Sequence, residues 1–295
     1  MTSALATEAL TKRYGRKTAL NDCTLEIPEG RVVGLVGPNG SGKTTLLNLA
    51  AGLLSPTSGS LAVLGETPSD DPKHLERVSF VAQDTPVYSA MSINDHVGYG
   101  AHVNRRWDAA LAARRIADLG LDPRQRAGKL SGGQRSQLAL TLAIAKRPEF
   151  LILDEPVAAL DPLARREFLQ ILMETVADHQ VSVVLSSHLV ADVERVCDYL
   201  VILVSSRVQI AGDVDDLLAS HHRLIGPREA DAPTGQEVIE SSYTDRQSML
   251  IVRSDGPVAD PEWVVEAISL EDLVLAYMGQ GRRTDRGASS ESTSS

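Results

Sequence analysis

The stretch of sequence that decides the fold is Gly37-Pro38-Asn39-Gly40-Ser41-Gly42-Lys43-Thr44. It follows the apolar run Arg31 to Val36, which predicts a buried strand, and it leads into Lys43 to Ala51, which has helical composition. A glycine-rich loop between a strand and a helix is the context in which the pattern G-x-x-x-x-G-K-[ST] binds phosphate. Glycine lets successive backbone N–H groups face one anion, and the start of the helix adds a favourable dipole. We therefore predict that Lys43 neutralises nucleotide phosphate oxygens and that the Thr44 hydroxyl is a ligand of Mg²⁺.

Short apolar runs recur along the chain, with helical patterns between several of them. Strands that alternate with helices of crossover length predict a largely parallel α/β sheet, with ligand-binding loops at the carboxyl ends of the strands. Residues 88–146 differ, because Ala, Arg and Leu lie there at helical spacing, and they predict a helical insertion between two strands. Alternating polar and apolar residues predict further strands from Leu5 to Ile27. The remaining strand candidates are Val78 to Val81, Phe150 to Leu153, Val181 to Leu185 and Leu200 to Val204.

Two acidic residues, Asp154 and Glu155, follow the apolar run Phe150 to Leu153. An acid pair after a strand often only caps a helix. With a phosphate-binding loop upstream, the pair instead predicts that Asp154 holds Mg²⁺ through water and that Glu155 orients or deprotonates an attacking water.

The composition and charge of the chain limit which classes of protein it can belong to. Hydrophobic residues make up 43% of the 295 residues and charged residues 23%, which is typical of a globular chain. A formal charge of -10 argues against broad binding to a nucleic-acid backbone, which relies on clustered Lys and Arg. The longest apolar runs are of strand length and the N-terminus carries no secretion signal, so we expect a cytoplasmic chain. Cys23 and Cys197 lack metal-ligand spacing and are expected to be packed thiols.

The pattern weakens after about Leu218, and we place a domain boundary near Ser220. The predicted units are a main domain over residues 3–219 and a small C-terminal α+β domain over residues 220–280. Within the latter, Met249 to Val252 has a strand-like pattern and Asp272 to Met278 predicts a short closing helix. Residues 281–295 are polar and rich in Ser, and we expect them to be disordered.

A second glycine motif lies ahead of the acid pair and consists of Leu130-Ser131-Gly132-Gly133-Gln134. Ser131 and the two glycines can form an anion-binding cap at a helix start, although Ser131 can also simply cap a helix. This motif, in order with the phosphate loop and the acid pair, resembles the signature motif of ABC ATPases. The resemblance covers roughly residues 3–218. It implies a P-loop NTPase fold with a mainly parallel core sheet, N-terminal antiparallel strands and an inserted helical subdomain.

The resemblance also implies roles for individual residues. Tyr14 matches the aromatic residue that stacks on adenine, and Thr45 joins the nucleotide-binding loop. Gln83 matches the glutamine that senses Mg²⁺ and water, and His188 matches the switch histidine that contacts the γ-phosphate and fixes Glu155. Catalysis would then involve Glu155, His188, Gln83 and Lys43, and the metal would be held by Thr44, Gln83 and Asp154. The motif Ser131, Gly132, Gly133 and Gln134, together with Asp161, would serve the nucleotide of a second subunit.

The function implied is that of an ATP-binding and hydrolysing subunit of an ABC transporter. Two such subunits, expected to be a homodimer, would close around two Mg-ATP and drive a separate integral membrane permease, to which the chain attaches at the inner face of the cell membrane. The permease would dock near Gln83 to Met91. The short C-terminal segment resembles that of exporters of drug, peptide or lipid-like substrates. The alternatives are a soluble ABC ATPase that acts on ribosomes or DNA and a regulatory subunit that only binds nucleotide.

Overall fold

The computed structural model describes residues 3–84, 87–158, 160–228, 232–254, 256, 258 and 260–291. The strands in chain order are β1 (Ser3–Tyr14), β2 (Lys17–Pro28), β3 (Val32–Val36), β4 (Ser58–Val63), β5 (Val78–Val81), β6 (Phe150–Leu153), β7 (Ser182–Ser187), β8 (Tyr199–Val204), β9 (Arg207–Asp213), β10 (His221–Pro227), β11 (Glu237–Tyr243), β12 (Gln247–Arg253) and β13 (Val264–Ala267). The helices are α1 (Lys43–Ala50), α2 (Pro72–Arg77), α3 (Ile93–Val103), α4 (Ala109–Asp118), α5 (Gly132–Ala145), α6 (Pro162–His179), α7 (Val190–Val196), α8 (Val214–Ala219) and α9 (Leu270–Glu291).

A six-stranded sheet, which we call the core sheet, carries the main domain and has the strand order β5-β6-β7-β3-β8-β9. Neighbouring strands are parallel except at β9, which runs antiparallel to β8. Every residue of β3, β6 and β7 is buried, as expected for parallel strands that helices cover on both faces. This confirms the predicted α/β class. A separate antiparallel sheet of order β2-β1-β4 packs beside it and confirms the expected N-terminal antiparallel strands.

The register of the core sheet aligns three strand ends at one edge. Leu153 of β6 pairs with Leu185 of β7, and Val36 of β3 pairs with Ser187 of β7. The loops that follow β3, β6 and β7 therefore emerge side by side. These loops contain the phosphate-loop residues, the acid pair and His188.

The predicted helical insertion is present between β5 and β6 and consists of α3, α4 and α5. Helix α3 begins at a capping box in which the Ser92 hydroxyl accepts from the Asp95 amide and the Asp95 carboxylate accepts from the Ser92 amide. The insertion has an apolar cluster of its own, formed by Ile93, Ile116, Leu121, Ala127, Leu130 and Leu138. It is thus a local unit with its own core.

The C-terminal segment forms an antiparallel sheet of order β11-β12-β10-β13, which begins at His221, and ends in α9. One face of this sheet and one face of α9 join the main core. Ile251, Leu273 and Val274 belong to the same buried cluster as Val193 of α7 and Leu200 of β8. The segment is therefore tied to the main domain by shared apolar burial rather than by a linker.

Helix α9 is longer than the sequence indicated. The predicted helix was Asp272 to Met278, whereas the structure has a helix over Leu270–Glu291. It includes residues 281–291, which were expected to be disordered; residues 292–295 lie outside the described residues. The Ser269 hydroxyl accepts from the Asp272 amide and so caps the first turn, and once a first turn is formed each added residue costs little.

Cys23 and Cys197 are buried, as expected of packed thiols, and form no disulfide. Burial raises the pKa of the Cys197 thiol. Among the helices in the described part of the chain, none is both long and apolar enough to cross a bilayer.

Because α9 shares the main core, we predict that Leu273→Ala lowers the free energy of unfolding by about 2–5 kcal/mol. Leu273 is fully buried, whereas Leu275 on the same helix is 54% exposed, so Leu275→Ala should change stability by less than about 0.5 kcal/mol. Urea denaturation followed by circular dichroism measures both. Equal stability of the two variants would contradict the shared core.

Candidate functional site

The phosphate loop joins β3 to α1 in a tight turn. Gly40 and Gly42 have φ values of +81° and +112°, which residues with a side chain rarely adopt. Gly37 has no room for a side chain, because a Cβ there would lie 2.0 Å from the Leu203 carbonyl oxygen. Glycine is therefore needed at these positions for two different reasons: backbone conformation at Gly40 and Gly42, and space at Gly37.

Lys43 is almost fully buried beneath this loop. Its Nζ donates to the carbonyl oxygens of Gly37, at 2.7 Å, and Pro38, at 3.3 Å, and lies 3.9 Å from Glu155 Oε1. Burial lowers the pKa of the Lys43 ammonium, and the carboxylates of Glu155 and Asp154 act in the opposite direction. Ser41 Oγ is buried and has no hydrogen-bond partner among the described residues. The loop thus holds a cation and an unused hydroxyl, which suits an anionic ligand.

The acid pair lies at the end of β6. Asp154 is 1% exposed, and its Oδ1 accepts a hydrogen bond of 2.7 Å from Ser186 Oγ. Glu155 has a φ of +48°, in the left-handed region, and its amide donates to the same Ser186 Oγ at 2.8 Å. A left-handed conformation at a residue with a side chain costs about 1–2 kcal/mol. Such a conformation persists only when surrounding contacts hold it.

His188 contacts Glu155 directly. Its Nδ1 lies 2.5 Å from Glu155 Oε2, and its side chain is half-exposed whereas that of Glu155 is buried. The carboxylate of Glu155 therefore has Lys43 near one oxygen and His188 on the other. A buried carboxylate with two such partners is held in one orientation.

A cleft of about 630 Å³ brings most of the predicted residues together. Tyr14 lies at its mouth, half-exposed, with Lys12 Nζ 5.3 Å from the centre of its ring. Tyr14 contributes an aromatic ring to the lining of the cleft and Glu155 contributes a carboxylate, whereas Asp154 does not line it. Its lining residues are Tyr14, Lys17, Ala19, Asn39, Gly40, Gly42, Lys43, Thr44, Thr45, Gln83, Glu155, Ala158 and His188.

The three predicted metal ligands meet at an adjacent cavity of about 570 Å³, which Thr44, Gln83 and Asp154 line together. A hydroxyl, an amide and a carboxylate are hard oxygen donors, and Mg²⁺ takes one or two protein carboxylates together with water and phosphate oxygens. Within the described ranges no three His, Cys, Asp or Glu side chains form a dedicated metal cluster. The donor set therefore fits Mg²⁺ that shares its coordination with a nucleotide.

The signature motif lies elsewhere on the chain. Ser131 caps α5: its hydroxyl accepts from the Gln134 amide at 3.2 Å, and Gln134 Oε1 accepts from the Ser131 amide at 3.0 Å. Ser131, Gly132, Gly133 and Gln134 line a cavity of about 400 Å³ with Asp161, which itself caps α6. Among the described residues, this cavity and the cleft at the phosphate loop have no lining residue in common. In the described part of the chain, the phosphate loop and the signature motif thus line two separate cavities.

Sequence reasoning missed some residues of the site. Lys12 precedes Tyr14 in the chain and Lys17 follows it. A lysine so close to the predicted adenine-stacking residue could have been recognised from the sequence. Ser186 gave no signal, because a serine just after a predicted strand has many ordinary explanations and its two acidic partners are more than 30 residues away.

The strand, glycine loop, buried lysine and paired acids define a P-loop nucleotide-binding protein. Comparison with known proteins narrows the class. Residues 20–158 match the family model described as ABC transporter. The chain is 36% identical over 220 residues to the uncharacterized ABC transporter ATP-binding protein YxlF of Bacillus subtilis (strain 168), a match that covers 72% of each protein. It is 33% identical over 211 residues to the thiamine import ATP-binding protein ThiQ of Salmonella choleraesuis (strain SC-B67), which covers 69% of this chain and 90% of the relative.

A solved structure described as the ATP binding subunit of an ABC transporter superposes with a TM-score of 0.66 at 27% identity, over 74% of this chain and 92% of that one. The chain therefore belongs to the family of ABC transporter ATP-binding proteins. It is an ATP-binding subunit of an ABC transporter, and it is an ATPase whose hydrolysis of ATP is coupled to transport.

We predict that Gly37→Ala weakens ATP binding by about 5- to 150-fold. The added methyl group must displace the Leu203 backbone, and overpacking of this kind costs about 1–3 kcal/mol, of which 1.4 kcal/mol is a factor of ten. Titration calorimetry with ATP measures the affinity. Gly98→Ala is the control, because Gly98 lies in α3 with open space around its Cβ position and ATP affinity should not change. Equal affinity of the two variants would show that the loop tolerates a side chain at Gly37.

Proposed function

We propose that two copies of this chain close head to tail around two Mg-ATP and thereby drive a separate membrane permease. The observation that carries the proposal is the separation of the phosphate loop and the signature motif into two cavities of one chain. A γ-phosphate that contacts both must lie between two chains. A homodimer would supply the phosphate loop from one chain and the signature motif from the other, without a further protein.

At its own site, each chain would hold one nucleotide along the cleft. Tyr14 stacks on the adenine, because it offers an exposed aromatic face at the mouth of the cleft. Backbone N–H groups from Gly37 to Thr45 face the phosphates, and Lys43 neutralises the β and γ oxygens. Thr44 and Gln83 would ligate Mg²⁺, and Asp154 would hold it through water. The metal supplies charge neutralisation of the phosphate oxygens.

Hydrolysis would begin with a water held by Glu155. The buried carboxylate accepts a proton from this water while the water oxygen attacks the γ-phosphorus and the bond to the β–γ bridging oxygen breaks. ADP and inorganic phosphate result. His188 orients Glu155 through its 2.5 Å contact and, being half-exposed, is free to reach the γ-phosphate. Lys43 stabilises the negative charge that develops on the transferred group.

The second chain would complete the site. Ser131 and the amides of Gly132 and Gly133 lie at the start of α5, a helix of 14 residues, where hydroxyl, N–H groups and helix dipole together favour an anion. Asp161 lines the same cavity and would cross the interface to align the opposite site.

The permease would dock on the surface from Gln83 to Met91, of which residues 85 and 86 lie outside the described part of the chain. Tyr88 is 68% exposed there, and exposed tyrosines often carry much of the binding energy of an interface. Docking at this surface would place the chain at the inner face of the cell membrane. It would also connect the permease with Gln83, which lines both the nucleotide cleft and the metal-side cavity.

Export of a drug, peptide or lipid-like substrate stays a prediction that rests on the C-terminal segment alone. It has no support among the relatives: the name ThiQ refers to import of thiamine, and the name YxlF carries no direction. No relative described above supports a ribosomal, DNA or purely regulatory role.

We predict that Glu155→Gln reduces ATP hydrolysis by at least about 100-fold, the lower range of general-base contributions, and stabilises an ATP-bound dimer. The amide keeps the shape of the side chain but cannot accept the proton. Steady-state phosphate release and size-exclusion chromatography with ATP measure the two effects.

Glu174→Gln is the matched control for this experiment, because Glu174 is an exposed glutamate on α6 and its loss should leave hydrolysis unchanged. Full activity of Glu155→Gln would assign the base to another residue. Loss of activity without any ATP-dependent dimer would leave the base in place and contradict the head-to-tail arrangement.

We predict that Tyr88→Ala lowers the amount of chain that copurifies with membranes by about tenfold or more, the effect of losing 1.4 kcal/mol at an interface. Tyr243→Ala is the control, since Tyr243 is similarly exposed, at 63%, but lies in β11. Membranes are extracted with detergent, the tagged chain is pulled down, and immunoblotting gives the ratio of copurified variant to copurified unmodified chain. Equal copurification of both variants would exclude the proposed docking surface.

A further inference from the structure

The Ser186 hydroxyl lies between the two acids of the site. Ser186 is fully buried, its Oγ donates to Asp154 Oδ1 at 2.7 Å, and the same Oγ accepts the Glu155 amide at 2.8 Å. A serine hydroxyl has one proton to donate and two lone pairs that accept. Here the proton and one lone pair are used on the two adjacent residues that directly follow β6.

The register of the core sheet accounts for this position. Leu153 pairs with Leu185 in the parallel ladder between β6 and β7, so Asp154 and Ser186 are the next residues on each strand. On the other side of β7, Ser186 pairs with Leu35 of β3. The backbone of Ser186 is therefore held by β3 on one side and lies beside the end of β6 on the other.

The hydrogen bond to Glu155 coincides with the backbone conformation that needs support. The φ of +48° at Glu155 turns the chain sharply just after the strand, and it brings the carboxylate to His188 and Lys43. The amide of Glu155 would be a buried donor without a partner if Ser186 had no hydroxyl. A missing bond of this kind favours a relaxed backbone, and a relaxed backbone moves the carboxylate.

We propose that Ser186 is a positioning residue for ATP hydrolysis, which fixes the metal-side carboxylate of Asp154 and the backbone of the base Glu155 with a single hydroxyl. This inference rests on the roles assigned to Asp154 and Glu155 under the proposed function. Ser186 acts through these two residues and does not line the nucleotide cleft. Its loss therefore impairs the chemical step and leaves nucleotide binding by Tyr14 and the phosphate loop intact.

The same strand offers a matched control. Ser182, four residues earlier on β7, is also buried, and its Oγ accepts the Gly30 amide at 2.9 Å. It is at the opposite end of the strand from the acid pair. Ser182→Ala and Ser186→Ala thus remove the same atom from the same strand, and each removes the partner of one backbone amide, that of exposed Gly30 or that of buried Glu155.

The experiment measures kcat and KM for ATP, and the Mg²⁺ concentration that gives half-maximal rate, for Ser186→Ala and Ser182→Ala. We expect kcat of Ser186→Ala to fall about 10- to 100-fold, the usual effect of removing a group that orients a metal ligand, with KM for ATP within about twofold and a higher Mg²⁺ requirement. Ser182→Ala should keep kcat within about twofold. Ser186→Thr, which keeps the hydroxyl, should recover most of the rate.

Ser186→Cys tests the same hydrogen bonds in case Ser186→Ala does not fold. A thiol nearly preserves the packed volume but is a much weaker donor and acceptor. It should show a normal thermal melting temperature and a reduced kcat. A double variant, Ser186→Ala with Glu155→Gln, should lose less activity than the product of the two single losses, because the part that Ser186 exerts through Glu155 is already gone.

The inference is overturned if folded Ser186→Ala and Ser186→Cys hydrolyse ATP at the rate of Ser182→Ala, or if their only change is a higher KM for ATP. Glu155→Gln separates this from the proposed function. If Glu155→Gln is inactive while the Ser186 variants have normal activity, the assignment of Glu155 as the base is supported and only the role proposed for Ser186 is wrong. If Glu155→Gln is active, the assignment of the base itself is wrong.

Discussion

The alignment of the carboxyl ends of β3, β6 and β7 is the constraint on which the site depends. These strands are buried on both faces, so their register is fixed by packing as well as by the hydrogen-bond ladder. A slip of one residue would move every side chain of the strand to the opposite face, and both buried layers would have to repack. The same register that protects the core therefore sets which loop residues meet at the edge: Lys43 after β3, Asp154 and Glu155 after β6, and His188 after β7.

Charge at this edge is concentrated on buried side chains. Lys43, Asp154 and Glu155 are all less than 10% exposed, and an isolated buried charge would be costly. Each has a polar partner: loop carbonyls for Lys43, Ser186 for Asp154, and Lys43 with His188 for Glu155. Partners of opposite charge or hydrogen-bonding character offset the cost of burial and hold the groups in a fixed geometry. This preorganisation is what an ATPase needs, because phosphoryl transfer depends mainly on positioning and charge stabilisation.

The C-terminal segment is coupled to this site by packing. Helix α9 and the sheet β10–β13 share a buried cluster with α7, the helix that begins two residues after His188. Within the same segment, buried His221 contacts the Tyr277 hydroxyl at 3.0 Å and the Leu217 carbonyl at 2.7 Å, and so joins β10 to α9 and α8. Removing the segment would expose an apolar surface of the main domain. Its role is therefore at least partly to complete the core.

Much of the site could be predicted from the sequence because its motifs are local. The loop from Gly37 to Thr44, the acid pair and the Ser131 cap each depend on residues within a few positions of one another, and the helical insertion has a continuous pattern of its own. The strands β4, β9, β10, β11 and β13 were not predicted, since short strands with exposed residues have no clear periodicity. The helical continuation to Glu291 was missed because composition favoured disorder.

The sequence by itself determined the class of fold and the chemistry of each motif. Only the tertiary structure decided which motifs share a cleft, that the signature motif lines a different cavity, and that Ser186 bridges two acids, because these relations depend on contacts between residues far apart in the chain.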